Sequence, residues 1–148
     1  MGKKERVFKY TRFSRFAGKE GITDNELLEV VNQLEAEQAD ANLGGDVYKV
    51  RIARPGEGKR GGHRVIVYFR NEFRTFFSYG FSKNDRGNIS RKDLKGFKKD
   101  AKKDFELTDA EIKAWLDRGT LIEITKEGVH RVAMNSIDVT AHAVKKEG

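Results

Sequence analysis

Lys49 and Arg51 stand two residues apart in a run that alternates in character, Val47-Tyr48-Lys49-Val50-Arg51-Ile52-Ala53. An extended chain with that period puts Tyr48, Val50 and Ile52 on one face and both basic groups on the other. Lys59 and Arg60 follow in a glycine-rich basic loop, Arg54-Pro55-Gly56-Glu57-Gly58-Lys59-Arg60-Gly61-Gly62. Arg64 then starts a β-branched and aromatic run, His63-Arg64-Val65-Ile66-Val67-Tyr68-Phe69. Antiparallel pairing of the two runs folds Arg64 back towards Lys49 and Arg51. A fourth group, Lys83-Asn84-Asp85-Arg86, follows the next run. Cleaving a phosphodiester without a metal needs a group to take the 2′-hydroxyl proton and another to protonate the leaving oxygen. It also needs fixed cations for the charge on phosphorus. The cluster matches that need. It equally suits a surface that only holds phosphates, or a solvated sheet face, and spacing alone leaves these readings open.

Other chemistries have less support. Gly56 to Gly61 lacks the lysine-serine/threonine ending and helix start of a nucleotide-binding P-loop. Its glycines either let backbone approach a phosphate or form a plain hairpin. His63, His130 and His142 are scattered without metal-ligand spacing. His63, beside Arg64, is the histidine placed to titrate at such a site, although a strand-edge histidine is more often incidental. The run Phe76-Phe77-Ser78-Tyr79-Gly80-Phe81 reads as core, with Tyr79 able to stack a base. The absence of cysteine excludes a disulfide framework, a thiolate zinc site and a cysteine nucleophile. No metal and no cofactor are expected.

The elements that carry these residues belong to a chain of 148 residues with 37% hydrophobic and 36% charged residues. Ten phenylalanines, four tyrosines and a tryptophan supply a core, which excludes wholesale disorder. No apolar run is long enough to span a membrane, and Met1 to Arg6 does not resemble a signal peptide, so the cytoplasm is the expected compartment and no membrane partner is expected. The net charge of +7 comes in blocks. Residues 20–46 hold eight acidic residues and no basic one, whereas 83–103 hold nine basic against three acidic. Blocks of this kind point to a polyanion such as nucleic acid.

The spacing predicts an α+β domain. Val7 to Tyr10 suits a strand and Arg12 to Lys19 a helix. Thr23 with Glu26 forms a capping box that opens a second helix with Leu27, Val30, Val31 and Leu34 on one stripe. Gly44-Gly45 ends the loop after it. The runs from 47 to 81 read as an antiparallel meander. Leu94, Phe97, Ala101 and Phe105 form the stripe of a lysine-rich helix, on which Lys98, Lys99 and Lys102 make a phosphate-tracking face. Thr108 and Glu111 open a further helix that Gly119 ends, and Leu121 to Ile124 suits a short strand. Residues 1–124 form the domain; 125–148 are a C-terminal extension, a short strand or a flexible tail.

Three segments together, Gly45 to Ile52, Gly58-Lys59-Arg60-Gly61-Gly62-His63-Arg64 to Tyr68, and Tyr79-Gly80-Phe81-Ser82-Lys83-Asn84, resemble the RelE/HigB-like toxins of bacterial type II toxin-antitoxin systems. The resemblance covers about residues 5 to 124. It implies a small antiparallel sheet with two N-terminal helices and C-terminal helices. It also implies a ribosome-dependent endoribonuclease that cuts mRNA by 2′-hydroxyl attack. Its partners would be the ribosome, the message and a cognate antitoxin of helix-turn-helix type. By position, Lys49 and Arg51 match the family's basic pair for phosphate stabilisation and proton transfer. Arg64 matches the arginine that stabilises the transition state, Lys83 the basic start of the last motif and Arg86 its later basic position. The remaining RNA contacts would fall to Lys59, Arg60, His63, Tyr79 and the lysine-rich helix.

Two positions depart from the best-known branch. Asn84 stands where that branch has a second arginine, and Ser90 where it has a base-stacking tyrosine. Leaving-group protonation and base stacking must then be done differently, by His63 or Tyr79, or the activity is weaker. The related ParE-like toxins share the fold and target gyrase. A gyrase-directed toxin, or a non-catalytic RNA-binding module, is therefore the alternative.

Overall fold

The structure is a computed structural model that describes residues 5–54, 58–82 and 89–125, with backbone alone at 54 and 58–61. Along the chain come β1 (Arg6–Tyr10), α1 (Thr11–Glu20), α2 (Asp24–Glu35), β2 (Ala41–Gly44) and β3 (Val47–Arg54). They are followed by β4 (Gly58–Arg70), β5 (Arg74–Ser82), α3 (Arg91–Glu106), α4 (Asp109–Arg118) and β6 (Leu121–Ile124). The fold is α+β, as expected. Six strands make one sheet in the order β2-β3-β4-β5-β1-β6. Among the described strands only β1 against β5 runs parallel, with Phe8 opposite Phe76. The chain leaves β1 through two helices and returns through the whole meander, which supplies the long crossover that a parallel pair requires.

Strand alternation gives the sheet two faces, and each takes helices. On one face α1 presents Phe13 to Phe77 at 5.5 Å between ring centroids, and Phe16 to His63 at 5.7 Å. α2 starts beneath the same face, where Lys9 Nζ meets Asp24 Oδ1 at 2.8 Å. On the other face α3 lays Phe105 edge-on against Phe76 and sets Phe97 beside Tyr68 and Tyr79. Phe8, Phe13, Phe76, Phe77, Ile66 and Tyr68 are fully buried between these layers. Each such apolar side chain contributes about 1.5 to 3 kcal/mol over its exposed state. Both capping boxes form, at Thr23–Glu26 and Thr108–Glu111, and Gly119 closes α4 at φ 85°.

Two expectations about connections are corrected. The stretch read as a loop before Gly44-Gly45 contains β2, which pairs antiparallel with β3. Four residues are too few to show a period, and the pairing partner supplies the order. The glycine-rich loop is also shorter than its composition implies. β4 begins at Gly58, paired with Arg54, so the backbone of Lys59 and Arg60 lies on a strand rather than a loop. Glycine permits this close pairing: a Cβ on Gly62 would sit 2.0 Å from the Ile52 carbonyl oxygen. Residues 55–57 and the extension from 126 onward lie outside the described residues.

Candidate nucleic-acid interface

Arg51 and Arg64 are direct register partners across β3 and β4, and Phe81 of β5 continues the rung. Past the Val50–Val65–Gly80 rung, the next rung on the same face holds Lys49, Ile66 and Tyr79. Alternation therefore places Lys49, Arg51, Arg64 and Tyr79 on one face, the face that carries α3. Phe97 of α3 reaches Tyr79 and Tyr68. The Arg51–Arg64 rung lies farther out, where both arginines stay partly exposed.

Like charges directly opposite one another are destabilising in a sheet. Here the two arginines are treated differently. Asp40, just before β2, accepts the Arg51 backbone N–H, and its second oxygen lies 3.2 Å from Arg51 Nε. Arg64 has no such partner among the described residues. Its Nη1 is buried without a hydrogen-bond acceptor among the described residues. A desolvated donor of this kind costs about 1 to 3 kcal/mol unless an acceptor arrives. An anionic oxygen reaching this rung would supply one.

A buried polar network fixes α3 over the neighbouring rungs. Tyr68 Oη accepts from Ser78 Oγ at 2.9 Å and donates to Asp100 Oδ2 at 3.3 Å. Arg12 binds the Ser78 carbonyl and hydroxyl, both at 2.9 Å, and lies 4.4 Å from the Tyr10 ring centre. Asp104 is wholly buried and meets the Tyr10 hydroxyl. Burial pushes its carboxyl up to about 6, with the Tyr10 hydrogen bond opposing. The Tyr10 and Tyr68 phenols titrate well above their ordinary value, first from burial and then from the carboxylates around them. Asp104 carried no signal in sequence beyond interrupting the apolar stripe beside Phe105.

Residues 5–124 match a family described as the RelE toxin of the RelE/RelB toxin-antitoxin system. The chain belongs to the RelE toxin family. The match covers every described element, so this RelE-family protein is the toxin of a toxin-antitoxin pair, and the family implies an antitoxin as its partner. None of its described helices is long and apolar enough to cross a membrane.

The toxin's other expected site residues divide sharply. His63 neighbours Arg64 in sequence and points the opposite way. It is 2% exposed under α1, with Nε2 3.0 Å from Glu20 Oε1 and the Phe16 ring edge-on. Contact with RNA, or protonation of a leaving group beside Arg64, does not fit that placement. Tyr79 stays on the basic face, half-buried between Phe97 and Phe81 at 5.9 and 6.1 Å. The lysine-rich face of α3 is partly committed within the protein. The Lys98 stem lies along the Gly44-Gly45 turn, and Lys102 pairs with Glu106 at 3.0 Å; Lys99 is exposed. Ser90, one of the two departures, caps α3 by accepting the Asp93 N–H at 3.0 Å. Lys83, Asn84 and Arg86 lie outside the described residues, and of Lys59 and Arg60 only the backbone is described.

A concavity of about 510 Å³ opens beside α2 and is lined by Glu35, Glu37, Asp46, Tyr48, Phe69 and Arg70 among others. Its three carboxylates face one cation, Arg70, which pairs with Asp46 at 2.8 Å. The Tyr48 phenol is raised by burial and then by Asp46 and Glu37. The excess of carboxylates disfavours a polyanion there.

Proposed function

We propose that this RelE-family toxin is a ribosome-dependent endoribonuclease that arrests translation by cutting mRNA at the Arg51–Arg64 end of the sheet. The observation that carries the reading is the pair itself. One guanidinium is balanced by Asp40, and its register partner holds a buried donor without an acceptor among the described residues. Attack by the 2′-oxygen forms a bond to the adjacent phosphorus and breaks its bond to the 5′-oxygen. Negative charge grows on the non-bridging oxygens as this happens. Arg64, with Arg51 beside it, would meet that charge with donors already in place. Arginine stays protonated in proteins, so of Lys49, Arg51 and Arg64 the proton-transfer role falls to Lys49. Lys83 is the further catalytic candidate by resemblance, and Tyr79 the candidate for stacking a base.

The test is a translation extract supplied with the purified toxin and a defined message. Cuts confined to ribosome-bound codons, absent with Arg64→Ala, are the expected result. Intact message with trapped gyrase–DNA complexes would replace this reading with a gyrase-directed one. Ribosome binding without cuts would make the protein a non-catalytic RNA binder. The antitoxin of helix-turn-helix type would silence the toxin by bringing Asp or Glu to the same cations. Hydrogen-exchange protection over residues 49 to 66 in the complex is the expected sign.

A further inference from the structure

Asp40 belongs to the acidic block 20–46, has no motif around it, and nonetheless holds the site's central cation. It touches Arg51 twice, through one oxygen on the backbone N–H and through the other on Nε. The first bond fixes where the carboxylate sits on β3. The second fixes how the guanidinium leaves the strand. Engagement at Nε leaves the two Nη groups of Arg51 without a bond among the described residues, and that edge is the one that can take a phosphate in a fork. The pairing also cancels one charge of two that the sheet register forces together. The ion pair is partly exposed, with 37% of the Arg51 side chain and 20% of the Asp40 side chain accessible. Such pairs add little to folding.

We propose that Asp40 is a positioning residue of the RNA site: its carboxylate aims the Arg51 guanidinium along the basic face and keeps it beside Arg64. This rests on the endoribonuclease reading above. Asp40 acts through Arg51 and touches no substrate atom. Asparagine can accept one of the two bonds and meets the other donor with an NH₂ group, so Asp40→Asn should release the guanidinium while sparing the fold.

The experiment compares the full chain with Asp40→Asn, Arg51→Ala and the double variant. Single-turnover cleavage of ribosome-bound message is measured together with thermal unfolding and the NMR signal of the Arg51 Nε–H. Asp40→Asn should slow the maximal cleavage rate about ten- to a hundredfold at unchanged melting temperature, as misplacing a reacting group does. It should add no further loss in the Arg51→Ala chain, since the two act as a unit. The Nε–H signal should be slow to exchange in the parent and lost in Asp40→Asn. Faster cleavage by Asp40→Asn would overturn the proposal, because the carboxylate would then be competing with RNA. So would an equal loss in both backgrounds, or an Nε–H signal indifferent to the substitution. A parent protein that cuts no message sinks the endoribonuclease reading instead, and the Nε–H signal still decides whether Asp40 holds Arg51.

Discussion

Tyr10 Oη lies 2.8 and 2.6 Å from the two carboxylate oxygens of Asp104, so the end of β1 and the last turn of α3 share one buried polar contact. The helix that borders the basic face is thus anchored by an ionisable group in an apolar setting. Phe76 and Phe105 pack nearby, and Arg74 donates Nη1 to the Asp104 backbone carbonyl at 3.0 Å rather than to its carboxylate.

That anchor makes stability depend on pH. The folded-state value of Asp104 stands at about 6 against an ordinary 3.8, so the unfolded chain releases this proton first. The contribution is fully present below the ordinary value, shrinks as pH rises, and is lost above about 6. Its span is on the order of 3 kcal/mol. Urea unfolding of the parent and of Asp104→Asn across this range should show the parent losing stability relative to the variant. Parallel curves would mean that another group titrates.

Arg64→Ala should separate activity from stability. Cleavage should fall about a hundred- to a thousandfold, the usual cost of one preorganised electrostatic donor. The melting temperature should hold or rise, because the substitution removes a buried donor with no acceptor among the described residues and relieves repulsion with Arg51. Undiminished growth arrest at equal expression would place the chemistry elsewhere.

His63→Leu should do the reverse. The ring fills a buried place under α1 and bonds Glu20, so its loss should lower stability by about 1 to 3 kcal/mol. Cleavage per folded molecule should be unchanged. A dead enzyme of normal stability would return His63 to the chemistry.

Two glycines should respond with opposite signs. On Gly62 a methyl group would meet the Ile52 carbonyl oxygen at 2.0 Å, and backbone cannot swing aside. Gly62→Ala should cost more than about 3 kcal/mol, beyond ordinary overpacking. Gly96, inside α3, has nothing within 4 Å of such a methyl. Gly96→Ala should stabilise by about 0.5 to 1 kcal/mol by removing backbone entropy from the unfolded chain. Equilibrium unfolding of both variants checks the pair.

Much of this molecule is legible in short stretches of sequence. Thr23–Glu26 and Thr108–Glu111 announce their helices because a cap needs only four residues. Alternation from Val47 to Phe81 announces the meander, and antiparallel pairing of its first two runs already brings Arg64 to Arg51. His63 shows the limit of reading by neighbourhood. Period two sends it to the face opposite Arg64, so adjacency in the chain is separation in the sheet.

The sequence by itself determined the helices, the meander and the shared face of Lys49 and Arg51, because caps and periodicity are local. Only the tertiary structure decided that β1 runs parallel to β5 and that Ala41 to Gly44 forms an edge strand. It alone brought Asp40 to Arg51 across 11 positions and Asp104 to Tyr10 across 94. Those contacts depend on register and on which side chains lose water when the layers close. Neither is encoded within a turn or a strand; both emerge when distant segments bury a common surface.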